Sequence, residues 1–325
     1  MKKIISLCLA AVLLAVSFVG CTNSKENKSL NVGVIQYMSH PSLDNCYNGV
    51  EQALKASGLD IKIDHQTGSS ASADADCATY AQNMVSKKYD LIIAIATPAA
   101  ASAYAKTDGT DIPVVFCAVS DPVAAKLVKT LQNPGTPCTG TTDILDLEAQ
   151  VDMIKAFQPN VKKIGVLYTT SEANSISNLA RLKEIALTKG IEIVPSGIQN
   201  ASDLPSAAAA LCGQVDCINN FTDNNVVENL PVVLNAAKSA NIPVYGSEEE
   251  QVKLGCLASM SLDYVALGKV TGEMAVKILN GTSASTMPVA EVADAKPVIN
   301  SEVAANLKFE MPTNFANATI VETIK

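Results

Sequence analysis

The sequence predicts an α/β fold of two similar lobes, each built on a doubly wound parallel sheet, joined by a hinge of three strands. Two observations predict it. Short β-rich segments alternate with longer helical segments, a pattern typical of parallel sheets covered by helices. The segments of the first half also recur in the second half, in the same order and at nearly constant spacing.

The N-terminal segment 1–20 is predicted to lie outside this fold. Lys2 and Lys3 precede an almost wholly apolar stretch, which ends at Gly20 just before Cys21. This order is typical of an export signal, and the cysteine indicates a lipoprotein signal that is cut before Cys21 and acylated there. The alternative is an uncleaved transmembrane anchor, but the apolar stretch is short for a span of about 20 residues. Residues 21–30 then form a flexible tether.

The first half contains four predicted strands and three predicted helices. In chain order the strands are 31–36, 59–64, 91–96 and 112–119, and the helices are 42–57, 72–86 and 97–105. Gly58 is a helix stop, and Pro98 stands at the first position of the third helix. The third strand is apolar throughout, which fits a central strand covered on both faces.

The second half follows the same scheme. Its predicted strands are 164–168, 191–194, 215–219 and 243–245, and its first helices are 147–157 and 175–188, which end before Pro159 and Gly190. A further helix, 267–279, is expected to return to the first lobe. The chain would cross between the lobes at 140–143, at 261–264 and within 290–296. The lobes are therefore 31–142 with 264–292, and 143–263 with 293–325.

Short sequence segments that match between the two halves support a duplication of the fold. The segment 32–35 matches 164–167, and the turn at 58–61 matches that at 190–193. The third strands of the two halves end at Thr97 and Thr222. Each match alone is weak, but their common order favours two equivalent lobes.

The composition excludes several classes of function. The chain carries 24 basic and 32 acidic residues, so a nucleic-acid partner is not expected. Seven cysteines follow Cys21 without paired CxxC motifs, so they predict small buried side chains rather than a zinc site, and a bridge between Cys212 and Cys217 stays open. No common catalytic motif is present. Of the two histidines, His65 is predicted at the surface and His40 in a candidate site loop.

Ligands of open parallel sheets bind beyond the carboxyl ends of the strands. The loops there are 36–40, 97–100, 120–122, 170–175, 222–225 and 247–249, and they are rich in small, hydroxyl and amide residues. Free N–H groups at the helix start at Thr97 can hold a carboxylate. Asp121, Asp223 or Asp263 can pair with an ammonium group. Asn174 and Ser175 can act in the same way as Thr97 in the second half. Ordinary helix capping is an equally good explanation of Thr97, Asn174 or Thr222 taken singly.

These loops resemble those of a known family, the substrate-binding lipoproteins of ABC importers, in the subgroup that includes tryptophan- and tyrosine-binding members. The similar words are VGVIQYMSHPSLD (32–44), DLIIAIATPAA (90–100), IPVVFCAVSDPVAAKLV (112–128), KKIGVLYTTSEANS (162–175), TDN (222–224) and LDYVALGKVTGEMAVKILNG (262–281). Cys117 and Cys138 depart from the pattern and leave the ligand less defined.

The resemblance implies a fold of periplasmic-binding-protein type I, a ligand in the cleft that is an aromatic amino acid, and a permease and an ATPase as partners. The positions that match the cleft loops of the family are Gln36, His40, Thr97, Pro98, Ala99, Ser120, Asp121, Glu172, Asn174, Ser175, Thr222, Asp223, Asn224 and Asp263. No cofactor or metal is expected, and the protein is expected to be a monomer that is held at the cell membrane only by the lipid on Cys21.

The main hypothesis is therefore an extracytoplasmic solute-binding component of an importer. The alternative is a sensory module of the same fold that reports to a membrane receptor. An enzyme on this scaffold is disfavoured, because the loops offer hydrogen-bonding groups but no catalytic constellation.

Overall fold

A computed structural model of the chain describes residues 29–292 and 295–324. The predicted export signal 1–20, the predicted acylation site Cys21 and most of the predicted tether lie outside the described residues. Within the described ranges, no helix is long and apolar enough to span a bilayer.

The elements alternate as predicted, with somewhat shifted ends. The strands are β1 Leu30–Gln36, β2 Ile61–Thr67, β3 Leu91–Ile95, β4 Val114–Cys117, β5 Cys138–Thr142, β6 Lys163–Thr169, β7 Glu192–Ile198, β8 Cys217–Asn219, β9 Val244–Tyr245, β10 Ala258–Ser261, β11 Ala290–Glu291, β12 Lys296–Asn300 and β13 Thr319–Val321. The helices are α1 Pro41–Ala56, α2 Ala73–Ser86, α3 Thr97–Thr107, α4 Leu147–Phe157, α5 Ala173–Thr188, α6 Leu204–Cys212, α7 Asn224–Glu228, α8 Leu230–Ala240, α9 Glu249–Leu254, α10 Tyr264–Leu279 and α11 Ser301–Asn306.

The first lobe contains a six-stranded sheet of order β11-β5-β4-β3-β1-β2, in which all the pairings are parallel. Every residue of the central strand β3 is buried, as its apolar sequence predicts. Strand β4 is shorter than predicted, because Ala118 takes the left-handed conformation (φ 54°) and turns the chain out of the sheet.

The second lobe contains the parallel sheet β7-β6-β8-β9 and the group β10-β12-β13. Backbone hydrogen bonds join the two groups, since Leu257 N donates to Val244 O over 2.7 Å and Gly246 N donates to Ala258 O over 3.0 Å. Strand β12 runs antiparallel to β10, which is a local departure from a wholly parallel sheet. The reason is the hinge: β10 leads the chain out to the other lobe and β12 brings it back. The α/β class with two parallel-sheet lobes is confirmed.

Helix α10 is the element that returns to the first lobe, where it packs along α1. The two helices meet at glycines. A Cβ atom added at Gly268 would lie 2.0 Å from Cys46 O, and one added at Gly49 would lie 2.1 Å from Val265 O. Such close backbone approach needs the absence of a side chain. This contact holds the start of α10, and with it Tyr264, beside the ends of the first-lobe strands.

The seven cysteines within the described residues are all free and buried, as expected from their small apolar character. Cys212 and Cys217 are among them, so they do not form the local bridge that the sequence left open. The structure corrects the prediction that His65 lies at the surface, because this residue lies within β2. It is half-buried and stacks on Tyr47 with a ring-centroid distance of 3.6 Å.

Candidate functional site

A small cavity lies between the two lobes at the carboxyl ends of their strands, and we call it the interlobe cavity. It is lined by His40, Ser42, Leu43, Ala96, Thr97, Ala118, Ser120, Asp143, Asn174, Thr222, Asn224, Val227, Glu248 and Tyr264. Both lobes contribute to this lining, as the strand-end rule for parallel sheets leads us to expect. The free volume is about 20 Å³, which holds roughly one water molecule. The lobes are therefore closed tightly on each other.

Polar contacts across the cleft hold this closed arrangement. His40 Nε2 lies 3.4 Å from Asn224 Oδ1. Ser177 Oγ donates to Asp121 Oδ2, and Ser70 Oγ donates to Glu228 Oε1. Each pair joins a residue of the first lobe to one of the second. Closure thus places polar side chains of both lobes around one common space.

A larger depression of about 460 Å³ opens on the hinge side and shares Glu248 and Tyr264 with the interlobe cavity. Its other acidic groups already have partners. Glu249 and Glu250 pair with Lys253 at 2.7 and 3.3 Å, and Asp263 caps α10 by accepting from Ala266 N at 2.9 Å. We therefore place the candidate site in the smaller cavity, where polar atoms lack partners.

Several buried polar atoms of the interlobe cavity have no hydrogen-bond partner among the described residues. They include His40 Nδ1, Thr97 Oγ1, Asn174 Oδ1 and Thr222 Oγ1. A buried polar group without a partner costs about 1–3 kcal/mol. Several such atoms around one space indicate that a polar molecule completes their hydrogen bonding.

Two alanines shape the first-lobe side of the cavity. Ala96 (φ 80°) and Ala118 (φ 54°) both take the left-handed conformation, which is uncommon for residues with a side chain. The turn at Ala96 starts α3, so the free N–H groups of this helix start lie beside the cavity. The turn at Ala118 brings Ser120 into the lining.

Two carboxylates in the lining were missed by the candidate list from the sequence. Asp143 accepts hydrogen bonds from Ser120 Oγ at 2.9 Å and Tyr264 Oη at 3.0 Å, and burial raises its pKa. Burial also raises the pKa of Glu248 to about 7. The described lining contains no Lys or Arg. A cationic group on a ligand would therefore balance the charge of this pair.

The sequence contained a signal for both of these carboxylates. Glu248 lies in the strand-end loop 247–249, and Asp143 is the last residue of the first predicted crossing. Nothing in the sequence ranks these two carboxylates above the other acidic residues of the loops, because their orientation depends on how the lobes pack.

Asp223 does not line the cavity, and both of its carboxylate oxygens already accept hydrogen bonds within the second lobe. It accepts hydrogen bonds from Thr169 N at 2.6 Å, Thr169 Oγ1 at 2.8 Å, Ser175 Oγ at 2.7 Å and Val226 N at 3.1 Å. These contacts brace the loop after β6 and cap α7. Asp121 and Asp263 also lie outside the lining, so in the described conformation none of the three carboxylates that were expected to pair with an ammonium group faces the cavity.

Glu172 lies behind the cavity and organises its second-lobe side. Its Oε2 atom accepts from Asn174 Nδ2 at 3.1 Å and from Asn224 Nδ2 at 2.7 Å. Burial, together with the nearby charge of Asp223, raises the pKa of Glu172 well above its usual value. Glu172 thus orients two amides that do line the cavity.

The fourteen predicted site residues fall into two groups. Those that line the cavity are His40, Thr97, Ser120, Asn174, Thr222 and Asn224. Those outside the lining are Gln36, Pro98, Ala99, Asp121, Glu172, Ser175, Asp223 and Asp263. Residues of the second group stabilise the loops that carry the first group. Gln36, for example, donates to Met38 O at 2.9 Å and to Asp44 Oδ1 at 2.6 Å below the loop of His40.

The chain is similar to proteins of known family. Residues 31–320 match a family model described as ABC transporter substrate binding protein. A relative from Clostridioides difficile (strain R20291), named tyrosine-binding protein, is 38% identical over 93% of this chain and 91% of its own length.

Two solved structures differ in how well they superpose. An ABC domain in complex with L-Trp from Streptococcus pneumonia has a TM-score of 0.86 at 33% identity, covering 90% of this chain and all of that one. The ligand-free, open structure of a substrate-binding protein with adhesive properties from Clostridium difficile has a TM-score of 0.68 at 39% identity, covering 91% of this chain and all of that one. The second structure has the higher identity but the lower TM-score. The described conformation is closer to that of the L-Trp complex.

Proposed function

Because the chain belongs to the family of ABC transporter substrate-binding proteins, we propose that it captures an aromatic amino acid in the interlobe cavity and delivers it for import. Proteins of this family are solute-binding proteins rather than enzymes, and they act outside the cytoplasm with transporter partners. The likeness of the present fold to these proteins covers nearly all of the described residues.

The observation that carries the proposal is the chemistry of the lining. Asp143 and Glu248 offer two buried carboxylates without a basic partner in the lining, which suits the ammonium group of an amino acid. The start of α3 offers free N–H groups and the unpartnered Thr97 hydroxyl, which suit the carboxylate. Opposite charges of the ligand would thus be held at separate positions.

The aromatic class is supported by two relatives and by the apolar part of the lining. The relative from Clostridioides difficile is named for tyrosine, and the structure from Streptococcus pneumonia contains L-Trp. In the present chain, Leu43, Val227 and the ring of Tyr264 form the apolar wall that an aromatic side chain would contact.

Binding requires a wider cleft than the described conformation has, since about 20 Å³ is too little for an amino acid. The ligand would enter an open form and stabilise a closed form that is slightly wider than the empty one. It shifts the equilibrium by its better contacts in the closed form. The permease would then recognise the two lobes in this arrangement.

The remaining parts of the proposal concern organisation. The lobes comprise 31–142 with 264–292 and 143–263 with 293–325, which agrees with the sheet to which each strand belongs. The protein is a monomer held at the cell membrane by a lipid on Cys21, after removal of 1–20. The order of basic, apolar and small residues before Cys21 supports this anchor.

A thermal-shift measurement tests the ligand class. Tyrosine and tryptophan should raise the melting temperature of the mature protein, because a ligand that binds only the folded state at about 100 times its Kd adds about 2.7 kcal/mol. The deaminated analogue of tyrosine and the amine tyramine should each give a smaller shift, since each lacks one charged group. The absence of a shift with any aromatic amino acid would refute the proposal.

The affinity should depend on pH through Glu248. Its pKa of about 7 means that the carboxyl is protonated in more acidic solution and then attracts an ammonium group poorly. Binding should therefore tighten from pH 5 to pH 8, by up to about tenfold per pH unit below pH 7 if one proton is released. Isothermal titration calorimetry at several pH values measures this slope.

The variant Glu248→Gln should flatten that slope. Glu249→Gln is the matched control, because Glu249 faces the hinge-side depression and pairs with Lys253 at 2.7 Å. Asp143 and Tyr264 also face Glu248, and burial raises the pKa of Asp143 as well, so a weak residual slope is expected in the variant. A steep slope that persists unchanged in Glu248→Gln would show that another group titrates.

A further inference from the structure

The loop that carries His40 into the interlobe cavity is held by Gln36, the buried last residue of β1. Gln36 Nε2 donates to Met38 O at 2.9 Å and to Asp44 Oδ1 at 2.6 Å. Asp44 also accepts from Ser39 Oγ at 3.2 Å. Because a carbonyl and a carboxylate can only accept, the nitrogen of the Gln36 amide must face them. One amide thus fixes both the backbone of this loop and the start of α1.

The oxygen of the same amide faces the edge strand β2. Gln36 Oε1 lies 3.1 Å from His65 Nε2. His65 stands opposite Val34 in the register of β1 and β2, and side chains two residues apart along a strand lie on the same face of a sheet. Tyr47 of α1 covers this face, where it stacks on the imidazole. His65 is therefore placed to act on the Gln36 amide from the outer edge of the sheet.

The direction of this hydrogen bond is fixed by the amide oxygen, which can only accept, so His65 Nε2 must carry the hydrogen. Thr67 Oγ1 lies 3.4 Å from the same nitrogen, and a hydroxyl oxygen can accept there as well. Burial lowers the pKa of the imidazole, against the nearby charges of Asp44, Glu51 and Asp64. The ring is thus neutral at neutral pH and donates from Nε2.

The end of β2 also meets the backbone of the loop directly. Gly68 N donates to Gln36 O at 3.0 Å, and a Cβ atom added at Gly68 would lie 2.3 Å from Tyr37 O. His65 itself lies outside the lining of the interlobe cavity. The position of His40, whose Nε2 lies 3.4 Å from Oδ1 of Asn224 in the other lobe, thus depends on a strand outside the cavity.

We infer that His65 is a positioning residue for ligand binding, which holds the loop of His40 in place by donating a hydrogen bond to the Gln36 amide. This inference rests on the proposed function, because it requires a ligand in the interlobe cavity that His40 lines. Without the donor at His65, the Gln36 amide loses the partner that fixes its oxygen and can turn away from Met38 O and Asp44. The loop must then be ordered by the ligand, which lowers the affinity.

Two variants of similar length separate the hydrogen bond from the packing of the imidazole. His65→Met removes the donor and should weaken the binding of tyrosine about three- to tenfold, as expected for the loss of one hydrogen bond. His65→Gln keeps an amide donor and should bind tyrosine like the wild-type protein. Both variants lose the stacking on Tyr47, so a purely structural role of the ring would affect them equally. Isothermal titration calorimetry of the mature protein measures the affinities.

A double-mutant cycle tests whether His65 acts through Gln36. Gln36→Met should weaken tyrosine binding, and the addition of His65→Met should then cause no further loss, because the two residues act in series. Gln66→Met is the matched control. Gln66 is the neighbour of His65 on β2, but its side chain lies on the opposite face and donates to Asp64 Oδ1 at 2.5 Å. This control should bind tyrosine like the wild-type protein.

Nitrogen NMR of the imidazoles checks the hydrogen position directly. The chain contains two histidines, so His65→Gln assigns the signals, and His65 should carry its hydrogen on Nε2. A bare Nε2, equal affinities in the wild-type and His65→Met proteins, equal losses in His65→Met and His65→Gln, or additive losses in the cycle would each overturn the inference and leave the proposed function intact. If tyrosine does not bind the wild-type protein, the proposed function fails and the inference fails with it.

Discussion

Replacing Asp143 by Asn should weaken the binding of tyrosine or tryptophan by about 30-fold to several thousand-fold. The expected range corresponds to the 2–5 kcal/mol that is lost when one partner of a buried, hydrogen-bonded charge pair is truncated. Asp143 is buried and accepts from Ser120 Oγ through Oδ1 and from Tyr264 Oη through Oδ2. The amide oxygen of asparagine can keep one of these hydrogen bonds, and its NH2 group can donate to the other hydroxyl oxygen. The variant should therefore fold and lose mainly the charge. Isothermal titration calorimetry measures the change.

Two comparisons make this prediction specific. The deaminated analogue of tyrosine should lose little affinity in Asp143→Asn, because it has no ammonium group to pair. Asp263→Asn should bind like the wild-type protein, since Asp263 is exposed, lies outside the lining, and asparagine is also a good helix cap. A similar loss for the amino acid and its deaminated analogue would show that Asp143 does not hold the ammonium group.

Replacing Gly268 by Ala should lower the free energy of unfolding of the first lobe by about 3 kcal/mol. Alanine improves helix propensity by about 1 kcal/mol, so propensity alone predicts a gain. The added Cβ atom, however, would lie 2.0 Å from the carbonyl oxygen of Cys46, and no side-chain rotation relieves a clash with the backbone. Helices α1 and α10 must then separate, and we expect the strain to outweigh the propensity.

Urea unfolding of the mature protein, followed by circular dichroism, measures the effect of Gly268→Ala. Gly213→Ala is the control, because Gly213 has an ordinary φ of −77° and the nearest atom to an added Cβ is 3.8 Å away. It should be neutral or slightly stabilising. If Gly268→Ala is as stable as the wild-type protein, the helices are not held at the distance that the structure shows.

The fold could largely be predicted from the sequence, because the residues that define its strands and helices act locally. The apolar strand β3, the helix start at Pro98 and the helix stops at Gly58 and Gly190 each depend on a few neighbouring residues. The antiparallel strand β12 was not accessible, because its direction depends on a chain crossing between two lobes.

Part of the site could be predicted from the sequence for the same reason. Six predicted residues line the interlobe cavity because the strand-end rule needs only the strand ends. The rule does not say which way a side chain points once it has competing partners. Asp223 follows a strand end as well, yet Thr169, Ser175 and Val226 occupy its oxygens. That these lining residues bind the ligand stays a prediction until it is measured.

The sequence by itself determined the alternation of strands and helices, the duplication into two lobes and the polar loops that face each other, since all three depend on short-range pattern. Only the tertiary structure decided that the carboxylates that line the cavity belong to Asp143 and Glu248 rather than to Asp223, and that Glu172 orients two amides. The physical reason is that a buried polar group binds whichever partner packing brings within reach, and that partner lies far away along the chain.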